Sequence, residues 1–277
     1  MNSLVNKQPL RAVLLDWAGT TVDHGSIAPV LALQSLFCGH GLDISTEDAR
    51  KDMGLLKRDH IRAILALDNI RAEWRDKTGQ FPGEAEVASL FGEFGVLQLE
   101  IVARHSQVIS GVVETVRLWQ QRGLRIGSTT GYTREMLDPV LIQARKDGYC
   151  PDASVCPDEV GAGRPLPWML ARNAQLLDVY PPSSCVKIGD TISDIEEGLN
   201  AGMWTIGITR TGNLVGLDAD AWTALPEDQK TERIRRAEET LLSVGAHFVA
   251  EDLPTCDPIL GAIDDRLRLA HGAPQPA

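Results

Sequence analysis

The chain predicts an α/β fold built on a parallel sheet, and three observations carry that expectation. Short apolar runs at 12–16, 124–130 and 185–190 each end in a cluster of polar, turn-prone residues. Helix-like stretches at 112–122, 134–146, 165–177 and 193–201 alternate with them, as in a Rossmann-like sheet covered on both faces. The rhythm breaks between 24 and 105, where helix-like runs at 27–39, 60–67 and 84–101 come with no convincing strand. The expected architecture is a core domain of residues 1–23 and 106–277 with an inserted α-helical cap domain of residues 24–105, placed to close over the strand ends.

The remaining elements follow in chain order. A charged helix is expected at 227–244, a short strand at 247–249, a final helix at 258–269, and a frayed end at 272–277. The chain has 277 residues, enough for a large core with an insertion. With Lys+Arg at 27 and Asp+Glu at 38, its net charge of -11 argues against nonspecific binding of nucleic acid or an anionic membrane. An anionic substrate then needs a locally positive pocket. Residues 1–10 lack the apolar core of a signal peptide, and no apolar run approaches the roughly 20 residues that span a bilayer, so a cytoplasmic protein is expected. The five cysteines are odd in number and lack zinc-site spacing. Cys38 and Cys185 read as small buried hydrophobes, and neither a disulfide nor a catalytic thiol is assigned.

The chemistry gathers at the ends of the expected strands, where α/β sheets place reacting groups. Asp16 ends the first apolar run and is followed by Trp17, Ala18, Gly19 and Thr20. Alone it also suits a turn or a helix cap. Enzymes that use such an aspartate on phosphate esters carry a second aspartate two positions later, to protonate the departing oxygen; here that position is Ala18. Ser128, Thr129, Thr130 and Gly131 offer hydroxyls and amides before a helix, suited to an anion and equally to capping. Asp190 and Asp194 lie four apart at the third strand end and, with Asp16, suit a hard cation such as magnesium. Asp190 reads as the ligand; Asp194 reads as a partner behind it or through water, with capping as its competing role. Arg164, followed by Pro165, supplies positive charge for a phosphoryl group. In the cap, a Lys57 that opens its helix would have a lowered pKa and so an amine able to form a Schiff base. His60, three residues on, shares its helical face and is a candidate proton relay. A solvated charged face is the bland reading of the same segment.

These residues resemble the phosphonatase family of the haloacid dehalogenase superfamily, which hydrolyses phosphonoacetaldehyde. The superfamily likeness rests on Asp16 with its Gly-Thr, Thr130-Gly131, Arg164-Pro165-Leu166-Pro167, and Gly189-Asp190 with Asp194. The narrower likeness rests on Asp-Trp-Ala-Gly-Thr-Thr-Val-Asp from Asp16, Met-Gly-Leu-Leu-Lys from Met53, Ser-Thr-Thr-Gly-Tyr-Thr-Arg from Ser128 and Gly-Arg-Pro-Leu-Pro-Trp-Met from Gly163. It runs from Arg11 to about Phe248. The resemblance implies an imine on Lys57, attack on phosphorus by Asp16, and phosphoryl contacts from Thr130, Gly131 and Arg164. It also implies one Mg2+ per subunit, held by Asp16, the Ala18 backbone carbonyl and Asp190. Met53, His60 and Tyr132 would line the substrate space, and the subunits would pair as a homodimer partly through the cap. A supply of the aldehyde from 2-aminoethylphosphonate is implied in the same way. Arg164 stands where the wider superfamily commonly has lysine, which favours the narrower family.

Three rivals are weighed. A magnesium phosphatase or phosphomutase would want an acid at position 18. A dehalogenase would have no use for Asp190 and Asp194 as metal ligands. A noncatalytic phosphoryl-binding protein on the same fold would not need Asp16, Lys57, Arg164 and Asp190 together.

Overall fold

The computed structural model describes residues 9–270, without the side chains of 102–104. The expected frayed end at 272–277 lies outside the described residues. Six parallel strands form one sheet in the order β3-β2-β1-β4-β5-β6. They are β1 (Ala12–Leu15), β2 (Arg125–Thr129), β3 (Ala153–Val155), β4 (Cys185–Gly189), β5 (Trp204–Ile208) and β6 (Phe248–Ala250). Every residue of β1 and β4 is buried, which explains the apolar run of β1 and the apolar residues on either side of Lys187 in β4: a strand covered on both faces has no solvent side to make polar.

Between β1 and β2 the chain runs through α1 (Ile27–Gly39), α2 (Thr46–Lys51), α3 (Lys57–Leu65), α4 (Asp68–Thr78) and α5 (Glu84–His105). Helix α5 packs on α1, α3 and α7 (Arg134–Lys146), tying the inserted helices together and to the sheet side of the molecule. Its amino terminus is fixed by Glu86, whose carboxylate accepts the Gly83 N–H at 2.7 Å. The crossovers are completed by α6 (Val112–Gln121), α8 (Trp168–Leu177), α9 (Ile192–Asn200), α10 (Ala219–Ala224), α11 (Glu227–Ser243) and α12 (Asp257–Ala270). Helix α8 covers β1, β2 and β3, while α9 covers β4 and β5.

Strands β3 and β5 were not expected from the sequence. The first has three residues, only one of them fully buried, too short for a period to register. The second interrupts its apolar residues with Thr205 and Gly207. Helices α2 and α4 were also missed, because each buries so little: Ala49 in the first, Ile70 and Trp74 in the second. Cys38 corrects another expectation, being exposed while Cys185 is buried. The buried stripe of α1 runs through Val30, Leu33, Leu36 and Phe37, and Cys38 falls off it at the helix end. Among the described residues no helix is long and apolar enough to cross a membrane.

Candidate active site

Strands β2, β1 and β4 are neighbours, so the residues that follow them meet beyond their carboxyl ends. Register places Leu15 beside Ser128 on one side and Ile188 on the other. The Asp16 N–H continues the ladder to the Ile188 carbonyl at 2.9 Å. Trp17 turns into the core and donates from Nε1 to Ser128 Oγ at 3.0 Å, pinning the turn after β1 against β2.

Asp16, Asp190 and Asp194 present carboxylate oxygens within 4.8 Å of one another, all three buried. Asp190 accepts the Asn213 N–H at 2.7 Å and the Thr20 hydroxyl at 3.3 Å. Burial, then the charges of Asp16 and Asp194, push the Asp190 carboxyl well above its ordinary value. Asp16 is raised too, by burial and then Asp194, against Arg164 and Lys187. Asp194 behaves oppositely: burial pushes it up, but Arg164 and Lys187 outweigh that and hold it low. Its Oδ1 pairs with Arg164 at 2.9 Å and Lys187 at 2.7 Å, and its Oδ2 accepts the Thr191 hydroxyl at 2.6 Å. Both oxygens are engaged, and its capping contact with Thr191 at the start of α9 is real.

Arg164 lies beneath these carboxylates with its side chain almost wholly buried. Nη2 donates to Asp16 at 2.7 Å and to Thr129 Oγ1 at 2.8 Å, and Nε donates to Glu197 at 3.0 Å. Burial opposes its charge, yet Asp194, Asp16 and Glu197 together raise its pKa. Lys187 Nζ donates to Thr129 Oγ1 at 2.9 Å from the middle of β4. Neither Lys187 nor Glu197 was singled out in the sequence. The signals were there: a lysine between Val186 and Ile188 in an apolar strand, and a glutamate one turn after Asp194.

The inserted helices bring Lys57 to the same place. Lys57 is the first residue of α3 and only 2% exposed. Its pKa is lowered to about 8, by burial first; Arg164 adds to the lowering, while Asp16 and Asp190 oppose it. Nζ sits 3.4 Å from Met53 Sδ and 5.8 Å from the centre of the Tyr132 ring. Asp16, Ala18, Ser26, Met53, Gly54, Lys57, Thr130, Gly131, Tyr132 and Arg164 line one pocket, so most of the expected site residues share it. The free space is small, room for about one water. His60 is fully buried beside Lys57 but does not line the pocket. Neither of its ring nitrogens has a partner of good hydrogen-bond geometry, and burial, then the Lys57 charge, push its pKa well down.

The loop before α3 is pressed onto the core. Ser193 Oγ donates to the Met53 carbonyl at 3.2 Å. Gly54 has φ +90, and a Cβ there would collide with Ser193 Oγ and Thr191 Oγ1. A Cβ on Gly131 would come 2.5 Å from the Leu55 carbonyl oxygen. Arg50, on α2, donates to the carbonyls of Gly25 at 2.9 Å and Gly216 at 3.1 Å and to Asn213 Oδ1 at 2.9 Å.

A parallel sheet with an aspartate after β1, a hydroxyl-glycine pair after β2 and aspartates after β4 defines a class of hydrolase. Residues 10–202 match the haloacid dehalogenase-like hydrolase family, and the chain belongs to that family. Its relatives narrow the placement to the phosphonoacetaldehyde hydrolase branch. It is 44% identical over 259 residues to a phosphonoacetaldehyde hydrolase of Syntrophobacter fumaroxidans, covering 94% of each chain. A phosphonoacetaldehyde hydrolase of Bacillus cytotoxicus is 44% identical over 255 residues, covering 92% of this chain and 97% of the other. The crystal structure of a phosphonoacetaldehyde hydrolase-like protein from Oleispira antarctica superposes with a TM-score of 0.93 at 38% identity, covering 99% of both chains.

Proposed function

We propose that the chain hydrolyses the carbon–phosphorus bond of phosphonoacetaldehyde, giving acetaldehyde and phosphate in the degradation of 2-aminoethylphosphonate. One observation carries the reading: a buried lysine with a lowered pKa shares a small pocket with Asp16, at the place where Ala18 leaves out the acid that ester cleavage needs. The names of the relatives agree with it.

Lys57 attacks the aldehyde carbon and water leaves, giving an imine that draws electrons from the neighbouring carbon. Asp16 then attacks phosphorus. The carbon–phosphorus bond breaks, its electron pair passes into an enamine, and the phosphoryl group rests on Asp16. Water cleaves that acyl phosphate; protonation of the enamine carbon and hydrolysis of the imine release acetaldehyde and free Lys57. Thr130, Gly131 and Arg164 hold the phosphoryl oxygens, and Met53 and Tyr132 border the carbon chain. Residues 24–105 serve as the cap that carries Lys57 to the core.

The three clustered carboxylates fit a hard divalent cation, because burial and mutual repulsion raise Asp16 and Asp190 and a cation would relieve both. Asp16, the Ala18 carbonyl and Asp190 would hold magnesium, with Asp194 bracing from behind because its oxygens are already engaged. The bound ion would neutralise charge on the phosphoryl oxygens. A homodimer joined partly through the cap belongs to the same reading, and sedimentation showing only monomers at working concentrations would remove that part.

Incubation with phosphonoacetaldehyde and magnesium should release acetaldehyde and phosphate in equal amounts, and borohydride should trap an adduct on Lys57 that peptide mass spectrometry locates. Hydrolysis of simple phosphate esters with no acetaldehyde from the phosphonate would replace this reading with that of a phosphatase.

A further inference from the structure

We infer that Glu197, with Lys187 beside it, is a positioning residue that sets the plane of the Arg164 guanidinium for a phosphoryl oxygen. The inference deepens the reading above and rests on Arg164 contacting the phosphoryl group. A guanidinium is planar, so fixing Nε and one terminal nitrogen fixes the direction of the other. Glu197 Oε2 holds Nε at 3.0 Å, and Asp16 and Thr129 hold Nη2 at 2.7 and 2.8 Å. Nη1 makes only a long contact, 3.5 Å to the Gly54 carbonyl, and carries two hydrogens. At least one N–H is therefore left for a ligand, on an arginine that lines the pocket.

Thr129 locks the arrangement. Its hydroxyl takes hydrogen bonds from Arg164 Nη2 and from Lys187 Nζ at 2.9 Å, and gives its own proton to Glu197 Oε2 at 3.1 Å. Lys187 Nζ also lies 3.6 Å from Glu197 and 2.7 Å from Asp194, so one buried cation serves both carboxylates behind Arg164. Stability alone is a weak reason for such a cluster. Burying ions is costly, and apolar side chains of similar volume commonly serve folding as well or better. Glu197 Oε1, moreover, is buried with no hydrogen-bond partner.

The test uses inorganic phosphate as the ligand, in the presence of magnesium, with its affinity measured calorimetrically on the full chain. Glu197→Leu keeps much of the volume and removes the acceptor; it should weaken phosphate binding about ten-fold, while Glu197→Gln, which can still accept from Nε, restores most of the loss. At saturating phosphonoacetaldehyde the Lys57 borohydride adduct should form at an unchanged rate in both variants. In an Arg164→Lys background Glu197→Leu should have no further effect on phosphate affinity, because an ammonium has no plane to set. Should Glu197→Leu fail to fold, the charge-balanced pair Lys187→Met with Glu197→Leu takes its place. Wild-type affinity in a folded variant, or a full-sized effect in the Arg164→Lys background, would overturn the inference. Because phosphate binding needs no carbon–phosphorus cleavage, absence of acetaldehyde from the wild-type protein would count against the proposed function and leave this result standing.

Discussion

Because burial, aided by the Arg164 charge, holds the Lys57 pKa at about 8, most of its side chain is still protonated at neutral pH. Only the free amine attacks a carbonyl, so kcat/KM for acetaldehyde release should rise about ten-fold per pH unit below that value and level off above it. A profile flat from about pH 6 to 9 would contradict this assignment. Lys57→Ala should cost on the order of 10³-fold or more in the same assay, with the borohydride adduct absent. Ala18→Asp should lower acetaldehyde release about ten-fold, since a new carboxylate crowds Lys57 and repels Asp16. At this scale the sequence was legible where a residue's chemistry is announced by its neighbours, as with Asp16, Arg164 and Asp190. It was silent on Glu197, Lys187 and Asn213, whose roles exist only through contacts with residues remote in the chain. His60 shares a helical face with Lys57, but sharing a face did not place it among the residues that line the pocket.

At the scale of elements, the loop before α3 sits so tightly on the core that its one glycine, Gly54, has no room for a side chain. Gly54→Ala would add a Cβ against Ser193 and Thr191 on a backbone of positive φ. The expected strain of about 1–3 kcal/mol falls on seating the loop, so kcat/KM should drop roughly ten- to a hundred-fold while most of the secondary structure survives. Circular dichroism beside steady-state kinetics separates the two effects. The pocket, with room for about one water, must open transiently to admit a substrate; a bound phosphate held between loop and core suppresses that opening, so residues 53–57 are expected to gain hydrogen-exchange protection when phosphate is bound. Strands β1, β2 and β4 were readable because short runs with buried apolar residues end in polar, turn-prone clusters, even though Lys187 interrupts β4. Helices α2 and α4 were not, because their few buried residues give no period; their place is set by Arg50 and by packing around Trp74.

For the molecule as a whole, Asp23 sets one term in the pH dependence of stability. It lies between β1 and α1 with φ +55, and accepts the Ala28 N–H at 2.9 Å. Burial raises its carboxyl from 3.8 to about 7, against the Ala28 and Ile27 amides and the Arg50 charge. The folded state therefore holds a proton that the unfolded state releases, and this contribution to stability is lost as pH rises from about 4 through about 7. Asp23→Asn keeps the acceptor and removes the titration. Relative to that variant, the wild-type melting temperature should fall between about pH 4 and pH 7, and parallel curves would refute the assignment.

The loop after β5 carries a different lesson, about where the working unit ends. The family match stops at residue 202, yet the Asn213 N–H grips Asp190 and the Thr211 hydroxyl grips the Gly19 carbonyl at 2.7 Å. The same loop supplies acceptors for Arg50. A chain cut at 202 would keep Asp16, Lys57, Arg164 and Asp190 and still lose the clasp that orients one carboxylate and anchors the inserted helices. The span shared with the wider hydrolase family and the span that holds this site together are therefore different lines on this polypeptide.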